Sequence, residues 1–101
     1  MNEKVLHLLG IARRAGRLTL GNDAVIEALR KGHTHLILFA SDLSPRTSGG
    51  VGFAAKEEGV ASVKINATMD EISMALGKRT GVVAVNDQGF AKKLLALCAD
   101  E

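Results

Sequence analysis

The chain has 101 residues, of which 47% are apolar and 24% charged, so it is long enough for one folded core, and we expect a single domain over residues 1–101. Its one cysteine, Cys98, excludes an internal disulfide and a zinc site built on cysteines. The net charge is only +2, yet residues 1–50 carry seven Lys/Arg against four Asp/Glu, whereas residues 51–101 carry six against seven. This distribution favours a local basic patch over a uniformly polycationic surface.

The first elements are predicted from hydrophobic periodicity. Apolar residues at helical spacing indicate a helix over residues 3–15, and the alternation that follows indicates a short strand over residues 17–20. A second helix is predicted over residues 22–31. Asn22 or Asp23 is its predicted N-cap, because a short side-chain oxygen can accept a hydrogen bond from a free N–H group of the first turn.

Helices and strands continue to alternate to the end of the chain. Residues 35–40 are a continuous apolar run, which is typical of a strand buried on both faces. Thr68 and Glu71 have the spacing of a capping box, and Asn86 or Asp87 can cap the last helix. The other elements are predicted as a helix over residues 46–58, a strand over 60–65, a helix over 69–76, a strand over 82–85 and a helix over 88–98.

The alternating order of elements determines the predicted fold class. Strands separated by helices imply crossover connections and a sheet that is covered on both faces. We therefore expect an α/β fold, a three-layer α/β/α sandwich with a small four-stranded mixed sheet. The first strand is short, which favours at least one antiparallel pairing in that sheet.

The stretch that points most directly to function is residues 8–25. It carries Arg13, Arg14 and Arg17 just before the second helix, which follows Gly21. A helix N-terminus has free N–H groups and partial positive charge, so it favours anions, and guanidinium groups bind phosphate. We interpret the stretch as a seat for a nucleic-acid backbone. The alternative is that the arginines are only solvent-exposed cations at the C-terminal end of the first helix, where positive charge is favoured.

Several other classes of site are disfavoured by composition and spacing. The chain has no Trp, no Tyr and three Phe, which is too few for a module that stacks a row of bases. The three histidines show no metal-ligand spacing, so we expect no metal, no cofactor and no catalytic role. No long apolar run or signal peptide is evident, and we expect a cytoplasmic protein.

A glycine-rich motif at residues 50–55 matches the loose dinucleotide-binding pattern G-x-G-x-x-A. That pattern requires glycines at the turn directly after a strand, but the preceding strand is predicted to end at Ala40, about nine residues earlier. We expect instead that these glycines let their helix pack close to the sheet or move. A nucleotide-binding enzyme remains an open, less favoured alternative.

Three segments together resemble a known family. LLGIARRAGRLTLG, LILFASDLSP and LGKRTGVVAVNDQGFAKKL follow one another in the order found in bacterial YlxQ-like proteins of the L7Ae/L30e ribosomal superfamily. The resemblance covers nearly the whole chain. It implies an L30e-like sandwich and a non-enzymatic protein that binds kinked RNA, typically a kink-turn with tandem G·A pairs, in a ribosomal or related ribonucleoprotein.

The resemblance also implies an RNA surface built from three loops at one end of the sandwich. The loops are the start of the second helix, residues 41–46 and residues 78–82. At the first loop the family typically has Gly-Thr-Asn-Glu-Val-Thr-Lys, and here Ala24 stands at the glutamate position and Glu27 at the lysine position. The predicted RNA-binding residues are Arg13, Arg14, Arg17, Gly21, Asn22, Asp23, Arg46, Lys78, Arg79 and Thr80.

The expected partner is structured RNA, ribosomal RNA first, with ribosomal proteins as further partners and no membrane contact. We expect a monomer when the protein is free. A second alternative stays open, because relatives of this fold exist that bind proteins, and Ala24 and Glu27 are the departures that such an adaptor would carry.

Overall fold

The computed structural model describes residues 3–99 and contains one four-stranded mixed sheet with helices on both faces. The predicted order of elements and the predicted sandwich are confirmed. The elements are α1 (Glu3–Arg14), β1 (Leu18–Leu20), α2 (Asn22–Arg30), β2 (Leu36–Phe39), α3 (Pro45–Glu57), β3 (Ala61–Lys64), α4 (Met69–Leu76), β4 (Val82–Val85) and α5 (Gln88–Ala99). The predicted domain also includes residues 1, 2, 100 and 101, which lie outside the described residues.

The strand order in the sheet is β1-β4-β2-β3. β4 runs antiparallel to both of its neighbours, whereas β2 and β3 are parallel. The two central strands, β2 and β4, are buried along their whole length, which explains why their sequences are continuous apolar runs. β3 is an edge strand, and most of its residues are exposed.

Each face of the sheet buries its own core. α1, α4 and α5 cover one face and α2 and α3 cover the other, so alternate residues of each central strand face opposite cores. The first core contains Leu36, Leu38, Val83 and Val85 of the central strands. The second contains Ile37, Phe39, Val82 and Ala84.

Two of the predicted helix caps are confirmed. Thr68 and Glu71 form the reciprocal capping box of α4, with hydrogen bonds of 3.1 Å and 2.9 Å. The Asp87 carboxylate accepts a hydrogen bond of 2.9 Å from the Phe90 N–H at the start of α5. These short polar side chains act as the sequence pattern predicts.

The predicted N-cap of α2 is wrong. The N-cap is Gly21, with φ 96° and ψ 151°, and no side chain in the described part of the chain caps the helix. Gly21 is the only residue between β1 and α2, and its N–H still donates to the Val82 carbonyl at 3.1 Å. The chain must therefore turn from strand to helix at one residue, which requires glycine, and Asn22 and Asp23 are already helical.

Of the two glycines in residues 50–55, Gly52 lies beside the sheet, whereas Gly50 does not serve the close helix–sheet packing that we expected. A Cβ atom on Gly49 or Gly50 would meet no atom of residues 3–99 within 4 Å, whereas a Cβ atom on Gly52 would lie 4.0 Å from Ser62 Oγ of β3. Residues 50–55 lie inside α3 rather than at a strand-to-helix turn. The dinucleotide-binding alternative therefore lacks the geometry that its pattern requires.

Two glycine-to-alanine substitutions are expected to have opposite effects on stability. A Cβ on Gly81 would lie 2.6 Å from Leu43 Cδ1 and 2.9 Å from Met69 Sδ, so both flexible side chains must move. We expect Gly81→Ala to lower the free energy of unfolding by about 1 kcal/mol through overpacking. Gly49→Ala should raise it by about 1 kcal/mol, because helix propensity improves and nothing is displaced. Urea denaturation measures both, and equal shifts would contradict the packing at Gly81.

Candidate nucleic-acid interface

Strand pairing brings three connections to the same end of the sheet. The Gly21 N–H donates to the Val82 carbonyl at 3.1 Å, and the Ala40 N–H donates to the Gly81 carbonyl at 2.9 Å. The segment before β4 therefore lies between the start of α2 and the segment after β2. We call these three segments together the loop end, which comprises residues 21–24, 41–46 and 77–81.

The segment after β2 is also fixed to the start of α4. The Ser41 N–H donates to the Ala67 carbonyl at 2.8 Å. The Asp42 carboxylate accepts a hydrogen bond of 2.9 Å from the Met69 N–H. These contacts join the segment after β2 to the start of α4.

The first turn of α2 is open to solvent. Asn22, Asp23 and Ala24 are all exposed, and the first hydrogen bond of the helix runs from the Val25 N–H to the Gly21 carbonyl at 3.0 Å. With no capping side chain, the helix start presents N–H donors and partial positive charge outward. Such a terminus favours an anion. The Asn22 amide can donate and accept hydrogen bonds, and the Asp23 carboxylate can accept them.

A depression beside β1 connects this helix start to two cations. Its volume is about 390 Å³, and its lining residues are Arg13, Leu18, Thr19, Leu20, Ala24 and Lys78. One guanidinium nitrogen, Arg13 Nη1, is buried and has no hydrogen-bond partner among residues 3–99. A buried donor without a partner is costly, and because this atom is closed to solvent, an anionic oxygen can bond to it only after the Arg13 side chain turns outward.

The structure separates the other two arginines of the basic stretch. Arg14 is exposed, and its Nη1 lies beside Gly10 together with the Ala75 carbonyl of α4, so it sits near the helix end that leads into residues 77–81. Arg17 lies at the far end of β1 from Gly21, where its carbonyl accepts a hydrogen bond of 2.8 Å from the Asn86 N–H. The backbone of Arg17 is therefore separated from the start of α2 by the length of β1.

The remaining predicted residues of the loop end differ in how exposed their side chains are and in whether those side chains already have partners within the chain. Arg79 forms an ion pair with Asp70, but both side chains are exposed, so the pair is weak and a phosphate can replace the carboxylate. Arg46 is exposed at the second position of α3. Thr80 is only 6% exposed. Its hydroxyl donates to the Val82 carbonyl at 2.8 Å and accepts from the Val82 N–H at 3.2 Å, so Thr80 shapes the loop rather than facing a partner.

Two residues that position the loop end were not among the predicted site residues. Asp42 fixes the start of α4, and Gly81 allows Leu43 and Met69 to pack directly against the segment before β4. Gly77 and Gly81 flank the polar residues 78–80 in the sequence, which indicates a loop but not tight packing. Nothing in the local sequence pairs Gly81 with side chains about 12 and 38 positions away, since that contact depends on the tertiary fold.

A negative charge limits where phosphates can lie on α2. The Glu27 carboxylate lies 3.0 Å from Lys31 Nζ, one turn further along the helix. The hydrogen bond from Lys31 and its positive charge lower the pKa of Glu27, so this carboxylate is ionised at neutral pH. Phosphates are therefore favoured on the Arg13 and Lys78 side of the helix start, away from Glu27.

Metal-binding clusters and membrane-spanning helices are both absent from residues 3–99. In that range no three His, Cys, Asp or Glu side chains are grouped so that they could hold a metal ion. Nor does any helix there have both the length and the apolar composition needed to cross a bilayer.

Comparison with known proteins identifies the family. Residues 3–95 match the Ribosomal protein L7Ae/L30e/S12e/Gadd45 family. The chain belongs to this family. It is 36% identical over 91 residues to the RNA-binding protein YlxQ of Bacillus subtilis (strain 168). The aligned region covers 89% of this chain and 90% of that protein. It is 31% identical to the RNA-binding protein YlxQ of Enterococcus faecium, across 90% and 87% of the two chains. The YlxQ-like resemblance predicted from sequence is confirmed.

Solved structures support the same L7Ae/L30e-type fold. A Bacillus halodurans C protein of unknown function superposes with a TM-score of 0.90 at 31% identity, covering 97% of this chain and 98% of that chain. The Giardia lamblia 15.5kD RNA binding protein superposes with a TM-score of 0.78 at 17% identity, covering 99% and 89%. At 17% identity, the match to the Giardia lamblia protein supports a shared fold and nothing further.

Proposed function

We propose that this chain binds structured RNA through the loop end and does so without catalysing a reaction. Its YlxQ relatives are named as RNA-binding proteins, and its family is a ribosomal protein family. The observation that carries the proposal is the depression in which Arg13 and Lys78 adjoin the uncapped first turn of α2. Two cations and free helix N–H groups around one concave surface suit a phosphodiester backbone.

We further propose that the RNA is kinked. A regular A-form helix has a deep, narrow major groove that side chains cannot read. A sharp bend opens that groove, so the blunt start of α2 can reach base edges with Asn22 and Asp23. Arg13, Lys78 and Arg79 then hold phosphates on the β1 and β4 side, with Arg14 and Arg46 at the periphery. Ribosomal RNA in the cytoplasm, with ribosomal proteins nearby, is the setting we propose for this contact.

The salt dependence of RNA binding tests the proposed surface. We expect the double variant Arg13→Ala/Lys78→Ala to bind a structured ribosomal RNA fragment at least about tenfold more weakly, because two charge-assisted phosphate contacts are lost. The slope of log Kobs against log salt should fall in magnitude by about 1.4–1.8, since each phosphate contact contributes about 0.7–0.9. Fluorescence anisotropy over a range of KCl concentrations measures both quantities.

The matched control is Lys92→Ala/Lys93→Ala. It removes the same number of positive charges from exposed positions of α5, outside the loop end. We expect little change in affinity and in the salt slope for this control. If the two double variants weaken binding equally, the attraction is a general effect of net charge and the assignment to the loop end is wrong.

A pair of RNAs tests the proposal that the ligand is kinked. One RNA contains a kink-turn with tandem G·A pairs, and the other has those pairs replaced by Watson–Crick pairs, which leaves its length and charge unchanged. We expect tighter binding to the kink-turn RNA. Equal affinity for both would restrict the function to binding of RNA in general.

A further inference from the structure

The outward side of α3 carries one exposed stripe of residues. Arg46, Gly49, Gly50, Phe53 and Glu57 recur at intervals of three or four positions and so lie along one side of the helix. All five are exposed, and Phe53 is 65% exposed although it is a large aromatic residue. The stripe contains a cation at one end, an anion at the other and two glycines beside the phenyl ring.

The isolated chain gains nothing from these glycines. A Cβ atom on Gly49 or Gly50 would have no neighbour within 4 Å among residues 3–99, so no close contact in that range requires glycine at either position. Glycine in a helix interior destabilises the helix relative to alanine. Small residues on an exposed helix surface allow the backbone of another helix to approach closely. We infer that Gly49 and Gly50 serve such a contact.

The stripe is complementary to itself when two α3 helices pack antiparallel. A two-fold axis between Val51 and Gly52 places Gly50 of one copy opposite Phe53 of the other. The same axis places Arg46 opposite Glu57, so the positive end of each stripe meets the negative end of its partner. The large side chain then lies over the glycine, and the opposite charges pair at both ends.

A groove beside the stripe provides room for the second copy's aromatic ring. The groove lies between α2 and α3 and has a volume of about 220 Å³. Its lining residues are Ile26, Leu29, Arg30, Gly50, Phe53, Ala54, Glu57 and Glu58. Its floor is apolar and its rim is charged with both signs, which is the composition of a small protein–protein contact.

We propose that two copies of this chain associate through antiparallel pairing of α3, with Phe53 of each copy packed against Gly50 of the other. A contact between one pair of short helices is smaller than a standard interface of about 1,600 Å². We therefore expect reversible association, with a dissociation constant of roughly 10–1,000 µM. The proposed association differs from the expectation of a monomer at concentrations in that range.

Sedimentation equilibrium without RNA, from about 10 µM to 1 mM, tests the proposal. The wild-type mass should rise from 10.6 kDa toward twice that value as concentration increases. Phe53→Ser should weaken association at least about thirtyfold, because a central aromatic anchor is lost from both copies. The matched control is Met74→Ser on α4, which changes a side chain that is 87% exposed and should leave association unchanged.

Two further variants test the proposed register. Glu57→Arg should weaken association about tenfold, because like charges then face each other at both ends, and adding Arg46→Glu should restore it. Gly50→Ala should raise the thermal midpoint of the dilute protein by roughly 5 °C and yet weaken association. If this surface has no partner, Gly50→Ala should raise the thermal midpoint without changing association.

Three results would overturn the proposal. They are a wild-type protein that stays monomeric at about 1 mM, equal effects of Phe53→Ser and Met74→Ser, and failure of the double charge reversal to restore association. The Arg13→Ala/Lys78→Ala variant lies outside α3 and should dimerise normally. A failure of this proposal is therefore distinguishable from a failure of the RNA-binding proposal.

Discussion

Gly21→Ala is expected to lower the free energy of unfolding by about 1–3 kcal/mol, although the added methyl group would touch nothing. Gly21 has φ 96° and ψ 151°, a backbone conformation that is essentially restricted to glycine. No atom of residues 3–99 lies within 4 Å of the position that its Cβ would take. The whole cost therefore comes from backbone strain. Urea denaturation of the variant and the wild type measures it.

The same substitution should also weaken RNA binding. Relief of the strain rotates the start of α2 away from Val82 and from the depression that Arg13 and Lys78 line. Gly49→Ala is the matched control, because it adds the same methyl group at an exposed position inside a helix, and it should leave RNA binding unchanged. If Gly21→Ala proves neutral for both stability and binding, the conformation of Gly21 does not position the start of α2.

A double variant at the start of α2 is expected to gain affinity for kink-turn RNA. Ala24→Glu introduces a carboxylate that can accept two hydrogen bonds from a guanine edge, as the family pattern implies at this position. Glu27→Lys replaces an ionised carboxylate with a cation one helical turn further on. Together we expect affinity to rise by about 10–100-fold, since one such base contact contributes about 1–3 kcal/mol. Isothermal titration calorimetry measures the change.

The gain should depend on the kinked RNA. With the G·A pairs replaced by Watson–Crick pairs, Ala24→Glu alone should bring no improvement, whereas Glu27→Lys alone should improve binding to both RNAs through charge. If the double variant gains nothing on the kink-turn RNA, α2 does not approach the bases in the way that the family resemblance implies.

Much of the fold could be predicted because buried segments have recognisable patterns of apolar residues in the sequence. The apolar runs of β2 and β4 indicate strands covered on both faces, and the spacing of Thr68 and Glu71 indicates the start of α4. The sequence does not reveal that β4 pairs antiparallel between β1 and β2. That placement depends on long-range packing, and it is what brings the three connections together.

The side-chain contacts at the loop end could not be predicted from the sequence for the same reason. The three segments of the loop end could be named from the family resemblance, but the availability of their side chains depends on tertiary contacts. Thr80 is used within its own loop, and Arg79 pairs with Asp70. Pairing of β1 with β4 carries Arg17 to the far end. The N-cap of α2 was wrongly predicted because Asn22 and Asp23 favour caps locally, whereas the one-residue connection requires a backbone that only Gly21 readily adopts.

The most direct measurement is the set of backbone amide chemical shifts of ¹⁵N-labelled protein during titration with the kink-turn RNA. Docking at the loop end predicts that the largest changes fall on residues 21–24 and 77–81, with smaller changes on residues 41–46. The amides of α5 should stay close to their free positions. Largest changes on α5 or on the edge strand β3, with the start of α2 unaffected, would contradict docking of RNA at the loop end.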